Sequence, residues 1–127
     1  MCSCAAAEIG RPDEAFDLFR FATRIDLDNY NRNTGEGIHT TSIAAAWMNI
    51  VYGFGGMRSD GPTLSFNPTI PAHWQSYSFQ VLYRDSLVRV EVTQSDTVIR
   101  TVDGPGLEVL LGGSLREVNA DGIRIQR

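Results

Sequence analysis

Residues 77–92 read YSFQVLYRDSLVRVEV, and apolar and polar side chains alternate along most of this stretch. A period of two is typical of a half-buried β-strand, because successive side chains point to opposite faces of a sheet. The alternation covers 77–83 and 88–92, with Arg84-Asp85-Ser86 as a short polar connection between them. The stretch therefore predicts an antiparallel hairpin.

The same period continues on both sides of the hairpin. It begins near Leu64, and turns rich in Gly, Asp and Asn separate four further short strands. These strands are predicted at 97–102, 107–111, 115–119 and 123–126. Short antiparallel strands at regular spacing are typical of a small two-sheet, jelly-roll-like fold. We therefore assign residues 60–127 to a small antiparallel β-domain.

Residues 1–59 have helical spacing instead. Gly10 is expected to end a first helix. Pro12 is then expected to begin a second, because proline suits the first helical position and the acids Asp13 and Glu14 suit the positive end of the helix dipole. Helices followed by strands place the chain in the α+β class.

A third helix is predicted after a polar loop at 26–37, with Thr40 or Thr41 as its N-cap. Apolar residues recur along it every three or four positions, which is the pattern of one buried helix face. The stripe consists of Ile43, Ala46, Trp47, Ile50, Val51 and Phe54. Trp47 is accordingly expected to pack in a core. Asp26 and Asp28 could orient a substrate or an arginine, but turn and capping bonds are the favoured expectation for both.

The predicted helices pose a packing problem. Two or three helices with wide apolar faces cannot bury those faces against one another, and the β-domain is close to the lower size limit for independent stability. The helices must pack on the sheets, or the chain must oligomerise, or it must come from a larger protein. Residues 1–8 begin almost inside a helix, which favours the last of these expectations.

The composition excludes several classes of function. The net charge is −4, which argues against a nucleic-acid partner. All eleven basic residues are arginine, so no lysine-dependent chemistry can reside here. No apolar run reaches the roughly 20 residues of a membrane helix. Cys2 and Cys4 have no partner cluster for a metal, and nothing suggests disulfides, so a cytoplasmic location is expected.

Several uncommon residue combinations occur in a fixed order along the chain. They are AAEIG at 6–10, RIDLDNYN at 24–31, EGIHTTS at 36–42, GFGGMR at 53–58 and LSFNP at 64–68. In this order and spacing they resemble the C-terminal region of glycoside hydrolase family 65, which includes maltose, kojibiose and trehalose phosphorylases. The resemblance implies that 1–59 are the terminal helices of an (α/α)6 barrel and that 60–127 are the two-sheet domain beside it. The missing barrel helices, or a homo-oligomer partner, would then cover the helical face.

The resemblance also implies a reaction, the reversible phosphorolysis of an α-glucosyl disaccharide with inversion. Inorganic phosphate would be a co-substrate, and no cofactor or metal would be needed. The family's general acid is a glutamate in the middle of the barrel, and no segment here matches its surroundings. We therefore assign no catalytic acid to this chain, and Glu8, Glu14 and Glu36 are expected to be solvated.

The segment Gly37-Ile38-His39-Thr40-Thr41-Ser42 lies where a loop becomes a helix. Free backbone N–H groups and the helix dipole make such an N-terminus attractive to anions. Hydroxyl groups and an imidazole add further donors. The resemblance assigns phosphate binding to His39, Thr41 and Ser42, although a Thr-Thr-Ser run can also be an ordinary helix cap.

Other functions remain open at this point. A family 65 hydrolase such as a trehalase would use water in place of phosphate. A non-catalytic structural module, or a carbohydrate-binding β-module, would need no barrel. His73, Trp74 and Tyr77 could form a sugar-binding face, but alternating aromatic residues on a strand more often belong to a core.

Overall fold

Three α-helices fill the N-terminal part of the computed structural model, which describes residues 3–29 and 32–127. They are α1 (Ser3–Glu8), α2 (Pro12–Arg24) and α3 (Thr40–Met48). A 3₁₀ turn at Asn33–Glu36 precedes α3, and a π-helical turn at Asn49–Phe54 continues it directly. The expectations for Cys2 and for the Glu36 side chain lie outside the described atoms.

The boundary between α1 and α2 is confirmed. Gly10 follows α1 with a φ of 76°, and Pro12 is the first residue of α2. Asp13 and Glu14 stand in the first turn and Arg24 in the last, so the charges at both ends of α2 complement its dipole.

The predicted start of α3 is wrong. His39, and neither Thr40 nor Thr41, is the N-cap residue, with extended dihedrals of −84° and 95°. Thr40 already has helical geometry because the extended residue comes one position earlier. No residue of α3 is buried, and Trp47 is 50% exposed, with an edge contact to the Tyr52 ring at 6.1 Å between centroids. The prediction that Trp47 packs in a core is therefore also wrong within this chain.

Seven strands form two sheets within the described residues. They are β1 (Leu64–Phe66), β2 (Ser76–Tyr83), β3 (Ser86–Thr93), β4 (Asp96–Asp103), β5 (Leu107–Leu111), β6 (Ser114–Val118) and β7 (Ile123–Gln126). One sheet has the order β1-β5-β6 and the other the order β2-β3-β4-β7. The predicted strands are all present, with ends within two residues of the expected positions.

The β2–β3 hairpin is confirmed with a connection one residue shorter than predicted. Tyr83 pairs with Ser86, and Arg84 and Asp85 have φ values of 47° and 65°. Two central residues with positive φ match the right-handed twist of the flanking strands. The all-antiparallel prediction needs one correction, because β1 and β5 pair in parallel. The connection from β1 to β5 contains β2, β3 and β4. It brings β5 alongside β1 with both strands running in the same direction.

The main core lies between the two sheets. Val88, Val90 and Ile99 from one sheet and Phe66 and Val109 from the other are all almost inaccessible to solvent. Along β3 every second residue is buried in this core. The alternation of apolar and polar residues in the sequence corresponds to this alternation of buried and less buried positions.

A second cluster joins the helices to the β-domain. Ala6, Ala7 and Ala15 from α1 and α2 surround the buried Phe54 ring, and Trp74 and Tyr77 contact the same cluster from the β side. The helices α1 and α2 thus reach the β-domain through the π-helical turn and through Trp74 and Tyr77, whereas no residue of α3 belongs to this cluster. The identity of the helices as barrel helices and the division at residue 60 stay predictions. Among the described residues, no helix has the length and apolar character needed to cross a membrane.

Candidate functional site

The proposed phosphate residues lie together at the beginning of α3. The carbonyl of His39 accepts the backbone N–H of Ser42 at 2.9 Å, which closes the first turn. The N–H groups of Thr40 and Thr41 have no acceptor within the helix, because the first donors of any helix lack one. The Thr40 and Thr41 side chains are exposed and Ser42 is half-buried. The structure therefore gathers His39, Thr41 and Ser42 within one helical turn at the surface.

Asp26 holds His39 by two hydrogen bonds. One carboxylate oxygen accepts the backbone N–H of His39 at 2.9 Å, and the other lies 2.5 Å from the imidazole Nδ1. The sequence favoured turn or capping bonds for Asp26, with orientation of a substrate or an arginine as the alternative, and did not predict a bond to the His39 ring. No local pattern signals this pair, because the partners are 13 residues apart on opposite sides of the loop.

These bonds determine the state of the pair. The hydrogen bond from the His39 side chain is the main factor that holds the pKa of Asp26 below its ordinary value, and the backbone bond acts in the same direction against partial desolvation. An ionised carboxylate only accepts hydrogen bonds, so we assign the shared proton to Nδ1. The outer ring nitrogen, Nε2, is then the one left to contact a ligand.

Asp28 binds Arg24 and not His39 in the contacts described. It accepts two hydrogen bonds from Arg24, both at 2.6 Å, across one turn of chain. Orientation of an arginine was the less favoured of the alternatives for this residue. The two neighbouring aspartates therefore have separate roles, one on His39 and one on the end of α2.

A cleft of about 550 Å³ lies between α1 and the three-stranded sheet, away from His39. Glu8 and Arg58 line it and form an ion pair, so Glu8 is not simply solvated as predicted. Glu14 is paired with Arg11 at 2.9 Å on the surface of α2. Neither carboxylate faces the start of α3 closely enough to hydrogen-bond His39.

The aromatic residues at the start of β2 belong to the core, as the packing prediction states. The Trp74 ring lies 4.9 Å from Phe54 and 5.6 Å from Phe19. The Tyr77 hydroxyl donates to the carbonyls of Phe54 and Thr69 at 2.7 and 2.8 Å, and burial raises its pKa well above the usual range. Both rings therefore take part in core packing, and together with His73 they also line an open pocket of about 480 Å³.

Removal of the Tyr77 hydroxyl tests how much its hydrogen bonds to the Phe54 and Thr69 carbonyls stabilise the fold. We expect Tyr77→Phe to lower the free energy of unfolding by about 1–3 kcal/mol, because the Thr69 carbonyl loses its donor and the Phe54 carbonyl keeps only the Thr69 N–H. Tyr83→Phe, at the half-buried end of β2, is the matched control and should change stability far less. Urea denaturation of both variants gives the comparison, and equal effects would contradict a special role for Tyr77.

Metal ligands do not gather in the described part of the chain, where no three His, Cys, Asp or Glu side chains could hold an ion together. Cys4, the described cysteine, directs its thiol to the side-chain oxygen of Asn49 at 3.2 Å. This contact links α1 to the turn that follows α3.

Comparison with known families and proteins matches both parts of the chain. Residues 1–48 match the glycosyl hydrolase family 65 central catalytic domain, and residues 57–118 match the family's C-terminal domain. The maltose phosphorylase of Bacillus subtilis (strain 168) is 42% identical over 104 residues, which is 82% of this chain. The α,α-trehalose phosphorylase of Geobacillus stearothermophilus is 38% identical over 119 residues, or 94% of this chain.

A solved structure has the same fold over nearly the whole chain. It is a human-microbiome protein provisionally assigned as a kojibiose phosphorylase, 42% identical, with a TM-score of 0.89 over 98% of this chain. The chain spans only 14% of the maltose phosphorylase, and 16% of both the trehalose phosphorylase and the solved structure. The two domain matches and these relatives show that the chain belongs to glycoside hydrolase family 65.

Proposed function

We propose that this chain acts as the C-terminal part of an inverting phosphorylase of α-glucosyl disaccharides. The observation that carries the proposal is the match of both parts of the chain to relatives named maltose, trehalose and kojibiose phosphorylases. These names share one reaction class, the cleavage of an α-glucoside by phosphate, and differ in the disaccharide.

In this reaction an oxygen of inorganic phosphate attacks the anomeric carbon from the face opposite the leaving sugar. The glycosidic C–O bond breaks, and a carboxylic acid donates a proton to the leaving oxygen. Phosphate thus replaces the base-activated water of an inverting hydrolase, and the product is glucose 1-phosphate with inverted configuration. Glu8 and Glu14 are already paired with arginines, so the acid is assigned to sequence outside this chain.

His39, Thr41 and Ser42 form this chain's share of the proposed phosphate site. The backbone N–H groups at the start of α3 and the hydroxyls beside them offer donors to an anion, and the helix dipole adds a favourable field. The Nε2 atom of His39 supplies a further contact when it carries a proton. No metal or organic cofactor takes part in this proposal.

The exposed apolar residues support a covering partner for the helices. Ile43, Trp47 and Met48 are between 47% and 57% exposed, and all three lie on α3. Side chains of this size seldom form a contiguous exposed surface on a monomer. We assign this face to contacts with further helices of an (α/α)6 barrel, with a second copy of the chain as the alternative.

Phosphate binding is tested by NMR titration of the chain with inorganic phosphate. We expect saturable shifts of the His39 ring and of the Thr41 and Ser42 amides. His39→Gln should weaken binding about tenfold, since a charge-assisted hydrogen bond is lost. His73→Gln changes the other histidine and should leave binding intact. Absence of shifts at the start of α3, or equal effects of the two variants, would contradict the site.

Activity is tested separately with maltose, trehalose and kojibiose in the presence of phosphate. The isolated chain is expected to release no glucose 1-phosphate, because it carries no assigned general acid. Phosphate-dependent release from any of these sugars would show that the acid is here after all. In a longer protein that contains this segment, cleavage without phosphate consumption would favour the trehalase-like hydrolase.

A further inference from the structure

Among the described side chains, Asp26 is the carboxylate that contacts the proposed phosphate residues, and no role in phosphate binding has yet been given to it. It touches both hydrogen-bond donors of His39 that point toward the loop, the backbone N–H and Nδ1. Its side chain is 17% exposed, whereas the imidazole is 40% exposed. The carboxylate therefore lies beneath the ring, and the ring is the part that an ion from solvent can reach.

We propose that Asp26 is a positioning residue for phosphate: it accepts the Nδ1 proton of a doubly protonated His39 ring and orients that ring, so that the second ring proton, on Nε2, is donated to the anion. The proposal rests on the phosphate site proposed above. Asp26 itself does not contact phosphate and takes no part in the chemical step.

The geometry explains why a single carboxylate suits this task. Its two oxygens hold one backbone group and one ring nitrogen of the same residue, so the N-cap conformation and the ring orientation are fixed together. The protonated ring cannot turn Nδ1 outward without breaking a bond at 2.5 Å. Carboxylates orient metal-binding histidines through the same outer bond, but there Nε2 offers a lone pair to the metal, whereas here it offers a proton to phosphate.

Electrostatics alone predicts the opposite effect on affinity. A carboxylate near the start of α3 repels phosphate, so removal of its charge should strengthen phosphate binding. Loss of ring orientation should weaken it. The sign of the change in affinity therefore separates a positioning role from a simple nearby charge.

The decisive variant is Asp26→Asn, which keeps the shape and removes the charge. An amide offers one acceptor oxygen where His39 presents two donors, so one of the two bonds must break. We expect phosphate binding about tenfold weaker, the size of effect seen when outer carboxylates of oriented histidines are removed. Affinity is compared at a pH where the His39 ring is doubly protonated. In a separate measurement at a pH where the ring is neutral, we expect its proton to move from Nδ1 toward Nε2 in the variant, as read by long-range ¹H–¹⁵N correlation.

Two further variants complete the test. Asp28→Asn removes the same charge two residues away, where the carboxylate contacts Arg24, and should leave binding unchanged or slightly stronger. Asp26→Glu restores a carboxylate and should recover part of the Nδ1-protonated tautomer and of the affinity. His73→Gln leaves His39 as the only histidine and assigns its ring signals.

The outcomes separate the two proposals. Tighter phosphate binding by Asp26→Asn, or an unchanged His39 tautomer, would overturn the positioning role. No recovery in Asp26→Glu, with intact α3 amide signals, would do the same. If wild-type His39 shows the Nδ1 proton but phosphate shifts no signal at all, the phosphate site itself is wrong and the pair serves only the fold.

Discussion

Replacement of Phe54 by alanine is expected to lower the free energy of unfolding by about 3–5 kcal/mol. The Phe54 ring is fully buried at the end of the π-helical turn, where it contacts Phe19 from α2 and Trp74 from the β side. The cavity left by alanine cannot collapse easily, because elements from both parts of the chain line it. The loss is a large share of the stability of an ordinary domain.

The control for Phe54→Ala is the substitution of Leu82, which lies on β2 and is 75% exposed. Leu82→Ala should change the free energy of unfolding by no more than about 0.5 kcal/mol, since little buried surface is lost. Guanidinium denaturation followed by tryptophan fluorescence reports on both variants, because Trp74 adjoins Phe54. A Phe54→Ala effect below about 1 kcal/mol would contradict a shared helical and β core.

Gly56→Ala is the second change with a large expected effect. Gly56 has a φ of 57°, and a Cβ there would lie 2.4 Å from the backbone oxygen of Asn67. The left-handed conformation costs about 1–2 kcal/mol for alanine, and displacement of backbone adds to it. We expect a total loss of about 2–5 kcal/mol in the free energy of unfolding.

Gly112 provides an unusually close control for Gly56. It has the same φ of 57°, but a Cβ at this position meets nothing within 4 Å. Gly112→Ala should therefore show only the conformational cost of about 1–2 kcal/mol. The difference between the two variants measures the contact between the chain after Phe54 and the Asn67 segment. Equal losses would show that no such close approach exists.

The β-domain follows closely from sequence because its information is local. Alternation over 77–92 specifies β2 and β3 and their faces, and positive φ at Arg84 and Asp85 completes the hairpin. The parallel pairing of β1 with β5 was missed, since it joins segments that share no local pattern. Strand existence is thus encoded locally, whereas the partner of a strand depends on the whole chain.

In the helical part, the sequence predicts the helices but not their packing. The apolar stripe from Ile43 to Phe54 predicts a helix, but only its far end is buried in this chain. An apolar stripe shows that one face of a helix is apolar, but it does not identify the element that covers this face. Trp47 was therefore assigned to a core that the chain does not itself provide, as expected if other helices belong against α3.

The candidate site was predictable in part. The loop-to-helix transition at His39 and the hydroxyls after it follow from residue types, and the structure brings His39, Thr41 and Ser42 together. Their role in phosphate binding stays a proposal. Asp26 could not be predicted, because a bond between residues 13 positions apart across an irregular loop leaves no periodic trace.

The parallel β1–β5 pair has a consequence for the order of folding. In the four-stranded sheet, β2, β3 and β4 each neighbour the next strand along the chain, so this three-stranded meander closes only short loops as it forms. β1 cannot pair until β5 has been synthesised, because the partner of Leu64 is Val109, which comes after β2, β3 and β4 in the chain. During synthesis β1 leaves the ribosome first and finds its partner late. Its length of three residues keeps the unpaired edge short during that interval, which limits the opportunity for pairing with another chain.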